Sequence, residues 1–399
     1  MSANAARIPR ASDVGAERMA DALVRTFELW RQRDHVRRRD AVREIARSAG
    51  YSVAMLDSSI DALLKPFTRK ALEAMAARIS AKGGSSTRTV GFIAAGNVVG
   101  AGIHEVAIAL IAGAHVAIKT ASAEPVFFPE FARTMAEIDP DAGARIEVLH
   151  WDRSRTDLTA ELIENCEIVA AYGDDATIAA LRRSNVIGFG SRVSAAAVAP
   201  GAIAPLRLNR VVESLARDVV LFEQLGCLSP HQVFVVTSDD NAARDFAVRI
   251  AAALERVGES MPPARIPIRD AVEIRGVRER ARWSAIAGAP VELFEGRGLE
   301  WTVVFERRPD TNAPFRISPG FRTVHVTAVR DLGELLHCLA PMSKRIEAMA
   351  VADDESRDIG NALVAMEIPY VCTPGEMQSP PLDWRHGGGA FFDAITGAR

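Results

Sequence analysis

The segment Phe222-Glu-Gln-Leu-Gly-Cys227-Leu-Ser-Pro-His231 joins a helical pattern to a strand-like one and leaves a thiol in the short loop between them. Gly226 is placed to end the helix, and Ser229-Pro230 prevents its continuation. A thiol on such a loop is positioned for nucleophilic work, although a lone cysteine also serves as a small buried hydrophobe. The other cysteines read as structural, Cys166 and Cys372 beside or within apolar strands and Cys338 on a helix. Of the eight histidines, His231, four residues beyond the thiol, and His386, in a glycine-rich tail, are the acid or base candidates.

A second constellation is the turn Gly96-Asn-Val-Val-Gly-Ala-Gly102 between a strand and a helix. Such a turn lets backbone N–H groups and a helix N-terminus approach a phosphate or an oxyanion. It lacks the third glycine of Gly-x-Gly-x-x-Gly, because Glu105 stands there, and it lacks the Lys-Ser/Thr of a Walker loop. Asn97 either donates its amide to a developing oxyanion or is a turn residue tolerant of left-handed backbone. Lys119 ends the next strand, Val116-Ala-Ile-Lys119, where it leaves the sheet at the carboxyl edge used by ligands in open α/β folds. A Gly-x-Ser-x-Gly elbow is absent, which argues against a serine hydrolase.

The elements that must hold these groups follow from periodicity. Residues from Ala16 to Ser80 carry apolar positions at helical spacing, and Lys82-Gly-Gly-Ser-Ser-Thr is the first break. Short apolar strands then alternate with helices: Val90 to Ala95, Val116 to Lys119, Ile146 to His150, Ile168 to Tyr172 and Val186 to Phe189. Arg207 to Leu225 reads as a joining helix. A second block places strands at Val233 to Thr237, Val291 to Phe294, Thr302 to Phe305, Thr323 to Thr327 and Ala348 to Val351. Alternation of strand and helix predicts parallel sheets. The expected organisation is a helical and nucleotide-binding region over 1–215, a thiol-bearing domain over 216–372, and a tail over 373–399 that returns to the active-site region.

Composition narrows the function classes. Among 399 residues, 48 Lys and Arg against 51 Asp and Glu leave a net charge of −3, with no excess to neutralise a nucleic-acid backbone. The dense run Arg31 to Arg43 interleaves acids and reads as a solvated, ion-paired helix face. Val106 to Ile118, the longest strongly apolar stretch, falls short of the ~18 residues a membrane span needs. Scattered cysteines without Cys-x-x-Cys, and a start without a signal-peptide pattern, lead us to expect reduced thiols, no metal site and a cytoplasmic protein.

Taken in order, these pieces resemble the aldehyde dehydrogenase superfamily, and within it the long-chain acyl-CoA reductases of bacterial bioluminescence. The resemblance is carried by Gly96-Asn97, Val116-Ala-Ile-Lys119, Tyr172-Gly173-Asp174, Gly188-Phe-Gly-Ser-Arg192, Gly226-Cys227-Leu-Ser-Pro230, and Gly375-Glu-Met-Gln-Ser-Pro-Pro-Leu-Asp-Trp-Arg-His386. It implies an aldehyde-dehydrogenase-like α/β fold with a Rossmann-type domain, an α/β catalytic domain and a helical N-terminal region. It also implies that Cys227 attacks an acyl thioester while Asn97 and the Cys227 N–H form an oxyanion hole, with His231 and His386 at hand. The glutamate that activates water in aldehyde-oxidising relatives is replaced by Gly188, which points to acyl reduction rather than aldehyde oxidation.

By the same resemblance, Lys119 and Ser122 face the adenosine ribose, and Gly96, Tyr172, Gly173 and Gly190 belong to the cofactor site. Ser122, standing where relatives carry an acid, would not repel a 2′-phosphate, so NADPH is the expected cofactor and NADH the alternative. The implied partners are an acyl-CoA or acyl-carrier thioester, an acyl-transferase or acyl-protein synthetase, and further copies of the chain. Gly96 departs from the family in replacing an aromatic residue, and Ser318-Pro-Gly320 occupies the region of the family's nicotinamide-ribose contact. Two other readings stay open at this point: an aldehyde dehydrogenase that uses water, and a catalytically silent acyl-transfer scaffold.

Overall fold

The computed structural model describes residues 14–81, 88–203, 205–310, 314–352 and 357–396, with the side chains of 205 and 206 excepted. The break at 82–87 and the chain start lie outside the described residues. Strands buried on both faces read as continuous apolar runs, and such runs build two sheets. The first contains β1 (Thr89–Ile93), β2 (His115–Lys119), β3 (Ile146–Leu149), β4 (Ile168–Tyr172) and β5 (Val186–Phe189), all parallel in the order β3-β2-β1-β4-β5. Chain order reverses between β1 and β4, so the crevice beyond their carboxyl ends is the topological switch point. The Gly96 turn follows β1 there, and Tyr172 ends β4 with Gly173 just beyond it.

The second sheet contains β6 (Val193–Val198), β7 (Pro230–Val236), β8 (Val291–Glu295), β9 (Thr302–Glu306), β10 (Thr323–Val329), β11 (Ile346–Ala352) and β12 (Tyr370–Cys372). Its order is β12-β11-β6-β7-β10-β9-β8, parallel except for β8 against β9. Strand β6 is absent from the sequence reading because Val-Ser-Ala-Ala-Ala-Val has little intrinsic strand preference. All six residues are nevertheless buried, with β11 on one side and β7 on the other. The sheets therefore change over at Gly190–Arg192, ahead of the boundary read at residue 215.

Four helices, Ala16–Arg31, Val36–Ala49, Val53–Leu64 and Arg69–Ala81, precede the first sheet. They pack through aromatic residues: Phe27 stacks on Phe67 at 4.3 Å, Trp30 meets Phe127 edge-on at 4.9 Å, and the Trp30 indole donates to Thr134 Oγ1 at 3.1 Å. Arg38 departs from the solvated face expected of its run. It is wholly buried, paired to Asp57 at 3.0 Å and Asp61 at 2.7 Å, and it donates to the Trp30 carbonyl at 2.7 Å. A guanidinium sealed this way ties the second helix to its neighbours on both sides. No helix among the described residues is long and apolar enough to cross a membrane.

Candidate active site

The joining helix is Pro205–Val220 and stops short of the Leu225 end expected from sequence. A tight turn, Leu221–Gln224, follows, in which Phe222, Glu223 and Gln224 all take left-handed backbone, with φ of 54°, 53° and 60°. That conformation costs non-glycine residues roughly 1–2 kcal/mol each, so something must hold it. Glu223 does so through a paired fork to Arg322, at 2.7 and 2.9 Å, both side chains about 1% exposed, and it also accepts from the Ala264 N–H at 3.1 Å. The Gln224 amide donates to the Pro230 and Thr323 carbonyls and accepts from the Thr323 N–H, each at 2.7 Å. Burial pushes Glu223 up and Arg322 pulls it back down, so the pair acts as a unit. Glu223→Gln is expected to cost about 3 kcal/mol by stranding the Arg322 charge, read as a lowered denaturant midpoint.

This turn delivers Cys227, half-buried, to the mouth of β7. The Cys227 carbonyl accepts from Ser194 Oγ at 2.6 Å, which fixes the loop independently of the thiol. Cys227 Sγ lies 4.0 Å from His386 Nε2, and His386 Nδ1 donates to Glu105 Oε1 at 2.8 Å. Burial alone would lower His386, but the Glu105 carboxylate and the Cys227 sulfur outweigh it and raise the imidazole to about 10. Burial likewise works to raise Glu105, and His386 overcomes it, bringing the carboxyl down to about 2. The imidazole is thus a cation, and it is sandwiched flat between Phe189 at 4.3 Å and Trp384 at 4.2 Å, with Tyr172 stacked on Phe189 at 4.6 Å. Aromatic faces attract a desolvated cation.

His386 reaches the thiol because the tail is tied down along its length. Asp218 accepts from the Gly375 N–H at 2.6 Å, Gln378 donates to Ser229 Oγ at 3.1 Å, and His104 Nε2 meets the Pro380 carbonyl at 3.1 Å. Beyond the histidine, the Gly387 N–H donates to Glu347 at 3.1 Å. Gly387 has φ 59°, and a Cβ there would stand 3.2 Å from Phe189, so glycine suits both the turn and the close approach.

A cleft of about 580 Å³ gathers most of the expected site: Asn97, Tyr172, Gly173, Gly190, Cys227, His231 and His386 all line it. Asn97 donates one amide N–H to the Leu225 carbonyl at 2.7 Å, which fixes the amide beside the thiol loop and leaves its second hydrogen for another acceptor. The Tyr172 hydroxyl is buried and faces Glu105 without closing a hydrogen bond to it; burial, reinforced by that carboxylate, pushes the phenol well above its ordinary value. His231 is a different kind of histidine from His386. Its Nδ1 accepts from the Ser318 N–H at 3.2 Å and burial drags it down to about 4, so it is neutral at pH 7.

Lys119, Ser122 and Gly96 do not line this cleft, although they sit at the same sheet edge, where Lys119 pairs with Ile93 in register. Lys119 is buried and lowered by that burial, with Asp152 pulling in the other direction, whereas Ser122 is exposed. Gly96 holds two turns together: a Cβ there would stand 2.9 Å from Ala123 and 3.0 Å from Ala121. Among the described residues no cluster of three metal-ligating side chains occurs.

Sequence reasoning missed Glu105, Phe189 and Trp384 as functional residues. A signal was present for Glu105, the single carboxylate of the helix Ile103–Ile111, which apart from its neighbour His104 is apolar and is buried throughout. Such a residue needs a partner.

Comparison with known proteins bears on the family and the fold. The family model described as Acyl-CoA reductase (LuxC) matches residues 86–396. The chain belongs to the LuxC family. Within it, the chain is 23% identical over 334 residues to a long-chain acyl-protein thioester reductase of Aliivibrio fischeri, covering 77% of this chain and 66% of that one. It is 24% identical over 179 residues to a protein of the same name from Photorhabdus laumondii, covering 43% of this chain and 36% of the relative. The match thus spans between about a third and two thirds of these relatives' length. Solved structures of similar fold include an oxidoreductase from Marinobacter aquaeolei, with TM-score 0.69, 16% identity and coverage of 92% of this chain and 80% of that one. Aldehyde dehydrogenase 21 from Physcomitrella patens has TM-score 0.69 at 14% identity, covering 94% and 79%. The LuxC chain therefore has the aldehyde dehydrogenase fold, as its sequence implied.

Proposed function

We propose that this LuxC-family chain reduces a fatty acyl thioester to the aldehyde through an acyl group carried on Cys227, with NADPH as reductant. The observation that carries the reading is the relay from Cys227 Sγ to His386 Nε2 at 4.0 Å and from His386 Nδ1 to Glu105 at 2.8 Å. A cationic imidazole beside the sulfur stabilises negative charge on it, which is the form that attacks a carbonyl carbon. The sulfur–carbon bond forms, the bond to the donor thiol breaks, and the departing thiolate takes a proton. The Asn97 amide and the Cys227 N–H are the donors for the oxyanion in each tetrahedral adduct.

A nicotinamide nucleotide in the crevice at the β1–β4 switch point would lie along Tyr172, Gly173 and Gly190, and the resemblance would put its ribose toward Lys119 and Ser122, which stand outside this cleft at the same sheet edge. When bound, the nucleotide supplies the hydride that the acyl carbon takes up. The oxyanion then re-forms a carbonyl, expels the Cys227 thiolate toward His386 and releases aldehyde. The proposed thioester donor is coenzyme A or a carrier protein.

Water must not compete. Glu105, the carboxylate in the cleft that lies nearest this chemistry through His386, is held ionised against the imidazole and is a poor base. The resemblance puts the base of aldehyde-oxidising relatives at Gly188, where a Cβ would stand 2.2 Å from Ile178 Cγ2, so that a larger residue would have to displace Ile178. Gly188→Glu is accordingly expected to lower thermal stability without yielding free acid from aldehyde and NADP⁺, measured by melting temperature and acid titration.

The test of the function is intact-mass measurement after exposure to fatty acyl-CoA, followed by NADPH. An acyl adduct that disappears as aldehyde and NADP⁺ appear in equal amounts is the expected result. Release of fatty acid in place of aldehyde would overturn the reading.

A further inference from the structure

The helix Ile268–Ile286 lies over β8 and β9, buries Val277 and Ala281 against Val291, Leu293 and Val304 of these strands, and buries Ile274 on the same side. Its opposite face is apolar too: Ile268 is 86% exposed, Val272 61%, Trp283 67% and Ile286 75%. Together with Gly276 and Glu279 these positions follow one another at spacings of 4, 4, 3, 4 and 3, a single stripe along the outer side of a helix about 28 Å long. A contiguous exposed stripe of this kind marks an interaction surface.

We infer that this stripe is the contact between two copies of the chain, packed as antiparallel helices about a two-fold axis near Gly276 and Glu279. The pattern is self-complementary, as an isologous contact requires. Setting Gly276 of one copy level with Glu279 of the other brings Ile268 opposite Ile286 and Val272 opposite Trp283, in both directions at once. The rims match in the same register. Arg275 falls beside Glu279 of the second copy, and Glu273 beside Arg280 on the other flank, all four exposed. Gly276 has no side chain near the crossing point; Arg280 Nη1 lies 3.3 Å from where its Cβ would stand, a flexible end that turns aside toward Glu273 of the second copy as the helices approach. Within one copy Glu279 pairs with Arg282 and Glu273 with Arg269, exposed bonds that exchange cheaply. Acids interleaved with arginines along the rim (Asp270, Glu273, Glu279) favour this partner over a lipid surface, for which a lysine- and arginine-rich rim is the rule. Four large side chains per copy make a small interface, so the dimer forms on the order of micromolar concentration.

Sedimentation velocity of the full chain from about 1 to 100 µM tests this. The wild type is expected to pass from monomer to dimer, Trp283→Glu to stay monomeric with unchanged circular dichroism, and Arg275→Glu to weaken the dimer at least tenfold. Arg275→Glu combined with Glu279→Arg should restore it. A wild type monomeric throughout, a dimer indifferent to Trp283→Glu, or a failure of the charge reversal to rescue would each overturn the proposal. Flotation of a monomeric wild type with anionic phospholipid vesicles, abolished by Trp283→Glu, would assign the face to lipid instead.

Discussion

Cys227→Ala is expected to abolish the acyl adduct and to lower thioester reduction by about 10⁴-fold or more, because no other group can hold the acyl carbon beside the cationic His386. The variant should fold normally. Its loop is fixed by the Ser194 hydroxyl on the Cys227 carbonyl and by the Glu223–Arg322 pair, neither of which involves the sulfur. The adduct should also be stoichiometric. Burial pushes the thiols of Cys166 and Cys338 up to about 12 and about 11, and it pushes Cys372 higher still, so none of the three is a nucleophile near neutral pH. One acyl group per chain in the wild type and none in Cys227→Ala is the outcome that intact-mass measurement should return. Equal labelling of both would remove the foundation of the proposed function.

The site divides into parts that local sequence can announce and parts that only the fold can. Cys227 stands in a loop whose punctuation by Gly226 and Pro230 is visible in the chain, and the strand ends that present Lys119 and Tyr172 follow from apolar runs that stop abruptly. The switch point between β1 and β4 then follows from the parallel order of the strands. The relay does not follow in this way. Glu105 and His386 are 281 residues apart, and they meet because Asp218, Ser229 and His104 anchor the tail, bonds that no spacing rule anticipates. The choice between His231 and His386 was undecidable for the same reason. The sequence offers both as equal acid or base candidates, whereas in the fold the His231 ring is committed to Ser318 and neutral and the distant residue carries the charge.

Two further misreadings share a physical origin. Strand β6 is built of Ala, Ser and Val, and its place between β7 and β11 is decided by burial on both faces rather than by propensity. The joining helix runs out at Val220 because Glu223 and Gln224 gain more from Arg322, Pro230 and Thr323 than the next helical turn would return. In both places tertiary bonding overrides a sound local expectation. At the second, the departure is what turns the chain toward the cleft and sets the thiol at its mouth.

Removing the charge that faces the thiol separates a working relay from a merely structural ion pair. In the wild type His386 stays cationic from pH 6 to 9, and single-turnover acylation is expected to be nearly flat across that range. Glu105→Gln takes away the carboxylate that raises the imidazole most and leaves the Cys227 sulfur alone against its burial, so its pKa should fall from about 10 toward the ordinary value of 6.5. Acylation by the variant should then fall as pH rises from 6 to 8, ending about 10- to 100-fold below the wild type, while His386→Ala should lose on the order of 10² to 10⁴-fold at every pH. The same pair sets a stability window. His386, raised in the folded state, contributes fully below about pH 6.5 and loses its contribution as pH rises through about 10; Glu105, lowered in the folded state, contributes fully above about 4.5 and loses it as pH falls toward about 2. The urea midpoint of the wild type should therefore exceed that of His386→Asn most clearly between pH 4.5 and 6.5 and converge with it near pH 10. An acylation profile for Glu105→Gln that overlays the wild type would show the carboxylate to be a packing partner alone, and the cation would then have to be traced to another source.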